Sequence, residues 1–173
     1  FNPSACTWEV ENSRGVVLLA GDSQSWAVAD GVIEAAGELG YDTTVATLNG
    51  CAFVYPVADM GLPGDWAGCK EFRSAVTEFA TSTRPSAVII SNWSYGYVGD
   101  APESRRRWAS GLVGMFEALN DIGVPVVLVS SYPRGDDDSF SRSMIVRPDA
   151  DRSTDAVRSR EERAWLIGLE TEL

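Results

Sequence analysis

The 173-residue chain contains no histidine. That removes the side chain most often used as a general base, and with it the commonest nitrogen ligand of zinc. Lysine is nearly absent too: Lys70 is the single lysine among 14 basic residues, the rest being arginine, and no mechanism follows from that bias. Cysteine is sparse. Cys6, Cys51 and Cys69 include no C-x-x-C pair, so a closely spaced metal cluster is not indicated, and neither a metal nor a cofactor is implied. Positive charge is scarce overall, and a net charge of −11 argues against nucleic acid, whose phosphates require a basic surface. No apolar run approaches the roughly 18 residues of a membrane span. There is no signal peptide, and the first residue is Phe1 rather than Met, so the chain is expected to be a mature domain or a piece of something longer.

What is present is ordinary globular material, 45% apolar and 23% charged, of a length that suits one domain over residues 1–173. Residues 1–15 read as an irregular lead-in. VVLLA at Val16–Ala20 is a short apolar run suited to a buried parallel strand. From Ser25 the period becomes helical, with Val28, Val32, Ala35, Ala36 and Leu39 on one face and Gly40 as the stop. TTVATL at Thr43–Leu48 is a second strand. Asp65 is placed to cap a helix carrying Phe72, Val76, Phe79 and Ala80. Ala87–Ser91 forms a third strand, Pro102 opens a helix with Trp108, Leu112, Met115, Phe116 and Leu119 inward, and Val124–Ser130 forms a fourth strand. A polar, turn-rich stretch and a helix near Asp155–Glu170 complete the chain. Apolar strands alternating with amphipathic helices predict an α/β fold, a mostly parallel sheet covered on both faces.

In such sheets chemistry sits beyond the carboxyl ends of the strands. The candidate segments are therefore Gly21–Ser25, Asn49–Ala52, Asn92–Tyr97 and Ser131–Arg134. The first reads G-D-S-Q-S between a strand and a helix. A serine there meets the positive end of a helix, where unpaired N–H groups favour a developing oxyanion. The plainer alternative is that Asp22 or Ser23 only caps the helix. Cys51 and Cys69 flank a Pro/Gly-rich segment; a disulfide closing it would contribute about 3 kcal/mol in the chain-entropy account, and two buried thiols are the other reading. Cys6 is then left over, which suggests a partner outside the chain.

Gly21-Asp22-Ser23 after an apolar strand resembles the first block of the SGNH (GDSL-like) hydrolases. More particularly, the chain is similar to the SGNH domains fused to bacterial integral-membrane acyltransferases. The ordered matches are VVLLAGDSQSWAVADGVIEAA, Asn49-Gly50-Cys51, Cys69 opening the next helix, Pro85, AVIIS and Trp93, running from Val16 to about Pro133. The resemblance implies a three-layer α/β/α, flavodoxin-like fold. It makes Ser23 the nucleophile, with the N–H groups of Ser23 and Gly50 and the side chain of Asn92 as oxyanion donors. The usual G-x-N-D context is absent, because the chain has S-N-W-S, and an Asn that satisfies loop backbone is the competing role for Asn92. Asp22, Trp93 and Tyr95 are the substrate-side candidates, Asp22 also as a holder of loop backbone beneath Ser23. Trp93, Tyr95 and Tyr97 form either a platform for a sugar ring or a packing cluster. The resemblance further implies a Cys51–Cys69 disulfide, and hence a place outside the reducing cytoplasm.

The family's base and its orienting acid belong to a C-terminal D-x-x-H motif, and a serine is a poor nucleophile without a base. Neither that motif nor the strand before it follows the last helix, REERAWLIGLETEL. The expectation is a C-terminally incomplete domain whose missing segment was removed or belongs to another chain. The competing explanations are a domain that binds a glycan without turnover, and Asp22 or the Asp136–Asp138 run acting as base. The expected activity is O-acyl transfer, acetyl above all, through a Ser23 ester to a hydroxyl of a cell-envelope glycan. A membrane acyltransferase domain would deliver the acyl donor, and the domain would be extracytoplasmic and membrane-tethered. A stand-alone esterase and a non-catalytic binding module of flavodoxin-like fold are the alternatives.

Overall fold

The computed structural model describes residues 1–54, 67–98 and 102–129, with the side chain of Tyr95 excepted. Asp65, the Ser131–Arg134 exit, the Asp136–Asp138 run and the helix near Asp155–Glu170 lie outside the described residues.

The apolar, β-branched segments form the interior of one sheet. Strand β2 (Val16–Gly21) is its centre, buried from Val17 onward. It pairs in parallel with β3 (Asp42–Thr47) on one side and β4 (Ala87–Ser91) on the other, with Leu18 opposite Thr44 and Val88. Beyond β4 lies β5 (Val126–Val129), also parallel. The lead-in supplies one strand more than expected: β1 (Thr7–Trp8) runs antiparallel to β3, giving the order β1-β3-β2-β4-β5 among the described residues. A two-residue strand shows no periodicity, so only pairing reveals it: Thr7 and Thr44 hydroxyls meet at 2.8 Å, and Val45 N–H donates to Cys6 O.

Alternation along β2 sends Leu18 and Ala20 to one face and Leu19 to the other. Leu19, with Ala29, Val45, Val28, Val32 and Ile33, packs under helix α1 (Ser23–Glu38). Leu18 and Ala20 pack with Phe72, Val76 and Ala80 of α2 (Ala67–Thr83) and Met115 and Leu119 of α4 (Pro102–Asp121). The result is the α/β/α layering expected. The buried stripe of α1 is rotated from the expected one: Ala35 is exposed, and Leu39, the residue that caps the helix end, is 64% exposed. Ala29 and Ile33 take those places. On α4 Phe116 is only partly buried, whereas Trp108, Leu112, Met115 and Leu119 are buried as expected. A short helix, α3 (Ser94–Val98), follows β4.

Cys51 and Cys69 are bonded, closing the loop between β3 and α2. The chain leaves β2 on one side to make β3, then crosses to the other side to make β4. The exits of β2, β3 and β4 therefore surround a topological switch point, where crevices of such sheets form.

Candidate active site

Gly21 ends β2 at φ +149, a conformation that side chains rarely adopt. A Cβ there would lie 1.9 Å from Ser91 O, so glycine lets β2 and β4 stay paired to their last residue. Asp22 then takes an extended conformation and caps α1. Its carboxylate accepts from Gln24 N–H at 2.8 Å, and its carbonyl accepts from Ser25 N–H at 3.1 Å and Trp26 N–H at 3.4 Å. Ser25 Oγ donates to the same carbonyl at 2.7 Å. Three of the first four N–H groups of α1 are thereby used. Ser23 N–H is the one with no acceptor among the described residues, and the Ser23 side chain is exposed. A helix start with one unspent donor beside an exposed hydroxyl is suited to accept negative charge next to that hydroxyl.

Gly50 lies past the exit of β3, the strand paired with β2. Leu48–Cys51 is a hydrogen-bonded turn, Cys51 N–H donating to Leu48 O at 3.0 Å, with Gly50 at φ +69 and exposed. A positive φ at the third turn position suits glycine. The turn is held at both ends. Leu48 N–H donates to Gly21 O at 3.1 Å, and Cys51 is tied to α2 by its disulfide. Gly50 N–H also has no acceptor among the described residues.

Asn92 is placed differently. It is 1% exposed, its Oδ1 accepts from Phe53 N–H at 2.9 Å, and its Nδ2 donates to Phe53 O at 3.2 Å. Both ends of the amide brace the Cys51–Val54 segment, the competing role foreseen for it. Asp22 likewise departs from a substrate contact. It is fully buried, and its second carboxylate oxygen accepts from Trp93 N–H at 2.8 Å while the Tyr97 hydroxyl donates to it as well. With these donors on its two oxygens, Asp22 holds the loops together.

Tyr97 lies beneath the site, stacked on Trp108 with centroids 5.7 Å apart, and is no part of an open platform. Its hydroxyl is pushed far above the ordinary tyrosine range, first by burial, then by the charge and hydrogen bond of Asp22, with Arg73 opposing. Trp93 is 45% exposed, its ring lying on Gly96, where a Cβ would be 2.2 Å from the indole. It keeps an open aromatic face at the β4 exit; the side chain of Tyr95 lies outside the described residues.

The residue that sequence reasoning missed is Arg73. It is 4% exposed and its Nε donates to Ala52 O at 2.8 Å, a second brace on the segment after Gly50. The signal was available: an arginine between Phe72 and Val76, on the apolar stripe of α2, must find buried partners.

A protein-family model described as "SGNH domain (fused to AT3 domains)" matches residues 2–167. The chain belongs to this family. The SGNH domain also resembles a solved structure, the lipopolysaccharide acetyltransferase periplasmic domain of Salmonella ser. Paratyphi A, with a TM-score of 0.53 and 13% identity. That likeness covers 72% of this chain and 48% of the other, so the SGNH domain spans about half the length of that relative. No curated protein sequence matches it.

Proposed function

We propose that this SGNH domain transfers an acyl group, acetyl by preference, to a hydroxyl of a cell-envelope glycan through an ester on Ser23. The observation that carries the reading is the start of α1, where an exposed hydroxyl adjoins the only first-turn N–H without an acceptor among the described residues. Ser23 Oγ attacks the carbonyl carbon of the acyl donor as a base removes its proton. The oxyanion accepts from Ser23 N–H and Gly50 N–H, the C–O or C–S bond to the leaving group breaks, and the base passes its proton to that leaving group. A glycan hydroxyl then attacks the ester carbonyl as the base takes its proton, the bond to Ser23 Oγ breaks, and the base returns the proton to Ser23 Oγ. Asn92, Asp22, Tyr97 and Arg73 are positioning residues in this scheme: they hold the three strand exits in register and touch no substrate.

The sequence has no histidine, and Asp22 is spent on structural donors, so the reading requires a base from a histidine-bearing segment beyond these 173 residues. The family's fusion to AT3 domains supports a membrane partner that delivers the acyl group, and the periplasmic origin of the structural relative supports an extracytoplasmic site. No helix among the described residues is long and apolar enough to cross a membrane.

The test is hydrolysis of p-nitrophenyl acetate by the natural protein that contains this domain. Ser23→Ala should lower the rate by about 10³-fold or more, the size of effect found when a serine nucleophile is removed. Hydrolysis unchanged in Ser23→Ala would refute the nucleophile. Failure of the natural protein to hydrolyse this ester or to acetylate any glycan would favour the glycan-binding module.

A further inference from the structure

A second feature lies one helical turn from Ser23. At the β1–β3 edge of the sheet a cleft of about 530 Å³ opens, lined among others by Trp8, Trp26, Thr47, Glu71 and Phe72. Its aromatic walls are unusually open: Trp26 is 61% exposed and Trp8 42%. Single exposed apolar residues mean little, but two indoles facing one concavity leave flat, amphipathic surfaces open among the described residues. Its size is that of an ordinary small-ligand site.

Polar groups line the same cleft. Strand β1 is too short to cover all of β3, pairing only with Thr43 and Thr44. Val45 N–H is on the outer edge, where it meets Cys6 O, and alternation along the strand puts the N–H of Thr47 on that same edge, past the end of β1. The Thr47 side chain and the Glu71 carboxylate add hydroxyl and acceptor groups. Trp26 follows Ser23 by three residues, so the two lie on one face of the first turn of α1. The cleft therefore takes one wall from the same turn of α1 that carries Ser23.

From this we infer that the Trp8–Trp26 cleft is an acceptor subsite that stacks uncharged sugar rings of a glycan. The inference rests on the proposed Ser23 chemistry for its purpose, though the binding it predicts does not need that chemistry. Aromatic faces combined with hydroxyl, carboxylate and backbone groups match the two surfaces of a pyranose, apolar C–H faces and an equatorial ring of hydroxyls. Among the described residues lining it, Glu71 has the one charged side chain, and the chain as a whole carries −11. An anionic polysaccharide is therefore repelled, and a neutral hexose or acetamido sugar is selected.

The test is a glycan array of neutral and acidic oligosaccharides, probed with the natural protein and with Trp26→Ala, Trp8→Ala and Trp26→Phe. Both tryptophans are exposed, so their replacement leaves the core intact. Neutral glycans should dominate the binding profile, either alanine variant should weaken them by about tenfold or more, and Trp26→Phe should keep most of the binding. Binding that is unchanged in both alanine variants, that favours acidic glycans, or that is absent for every neutral glycan would overturn the inference. Ester hydrolysis by the unsubstituted protein is followed separately. Its absence would sink the Ser23 reading and leave the array result standing. Its presence, with tryptophan variants that bind as before, would sink the cleft alone.

Discussion

The exits of β2 and β4 lie side by side in the sheet, and both place a small polar residue just past the strand, yet they use it in opposite ways. At the β4 exit, Asn92 is buried and both ends of its amide are committed to Phe53. At the β2 exit, Asp22 absorbs the neighbouring donors, and the residue after it keeps an exposed hydroxyl and an N–H with no acceptor among the described residues. Asp22 also joins the two, since it accepts from Trp93 N–H across the gap. On the proposed reading, the difference teaches that reactivity at a strand exit is left over from structural satisfaction. A group whose hydrogen bonds are complete is scaffold; the group with one bond outstanding is where a ligand's charge is accommodated.

Substitutions can break or sharpen that contrast. The largest effect is expected from Asp22→Ala, which removes the cap of α1 and leaves Trp93 N–H and the buried Tyr97 hydroxyl without an acceptor. A loss of roughly 3 kcal/mol or more in urea unfolding is expected. A loss below about 1 kcal/mol would mean that Asp22 does not hold the two exits together.

Asn92→Ala comes next, with an expected cost of about 2 kcal/mol from the unpaired backbone of Phe53. Ser23→Ala should shift stability by no more than about 0.5 kcal/mol, because the side chain is exposed. A reversed order, Ser23 costly to stability and Asn92 harmless, would show that the roles assigned to the two exits are exchanged.

The smallest effect is on pH dependence. Burial and Asp22 raise the ionisation of the Tyr97 hydroxyl above its ordinary value of about 10. The folded protein then holds this proton while the unfolded chain releases it. The associated stability is present below about pH 10 and declines as pH rises further. Tyr97→Phe should flatten the alkaline limb of the stability curve. A native protein whose stability does not fall above pH 10, or a limb equally steep in the variant, would contradict this placement of Tyr97.

Much of this arrangement was legible in the residues themselves. The strand runs of Val16–Ala20 and Ala87–Ser91 were readable because buried parallel strands are short, apolar and β-branched. Ser23 was a candidate because a strand exit that meets a helix start has local chemistry, whereas Gly50 was offered only by the family resemblance. The scaffold roles of Asp22, Asn92 and Tyr97 were less so, because whether a polar side chain faces solvent or loop backbone depends on partners such as Phe53, far away in sequence. Strand β1 escaped for the same reason: two residues have no period, and β3 alone defines their pairing.

The most direct measurement is the mass of the natural protein after exposure to a serine-directed phosphonate, with the adduct mapped by peptide. A single adduct on Ser23, absent in Ser23→Ala and retained in Asn92→Ala under conditions where that variant is folded, is the predicted result. An intact protein that stays unmodified, or an adduct on any residue other than Ser23, would contradict the assignment of the nucleophile.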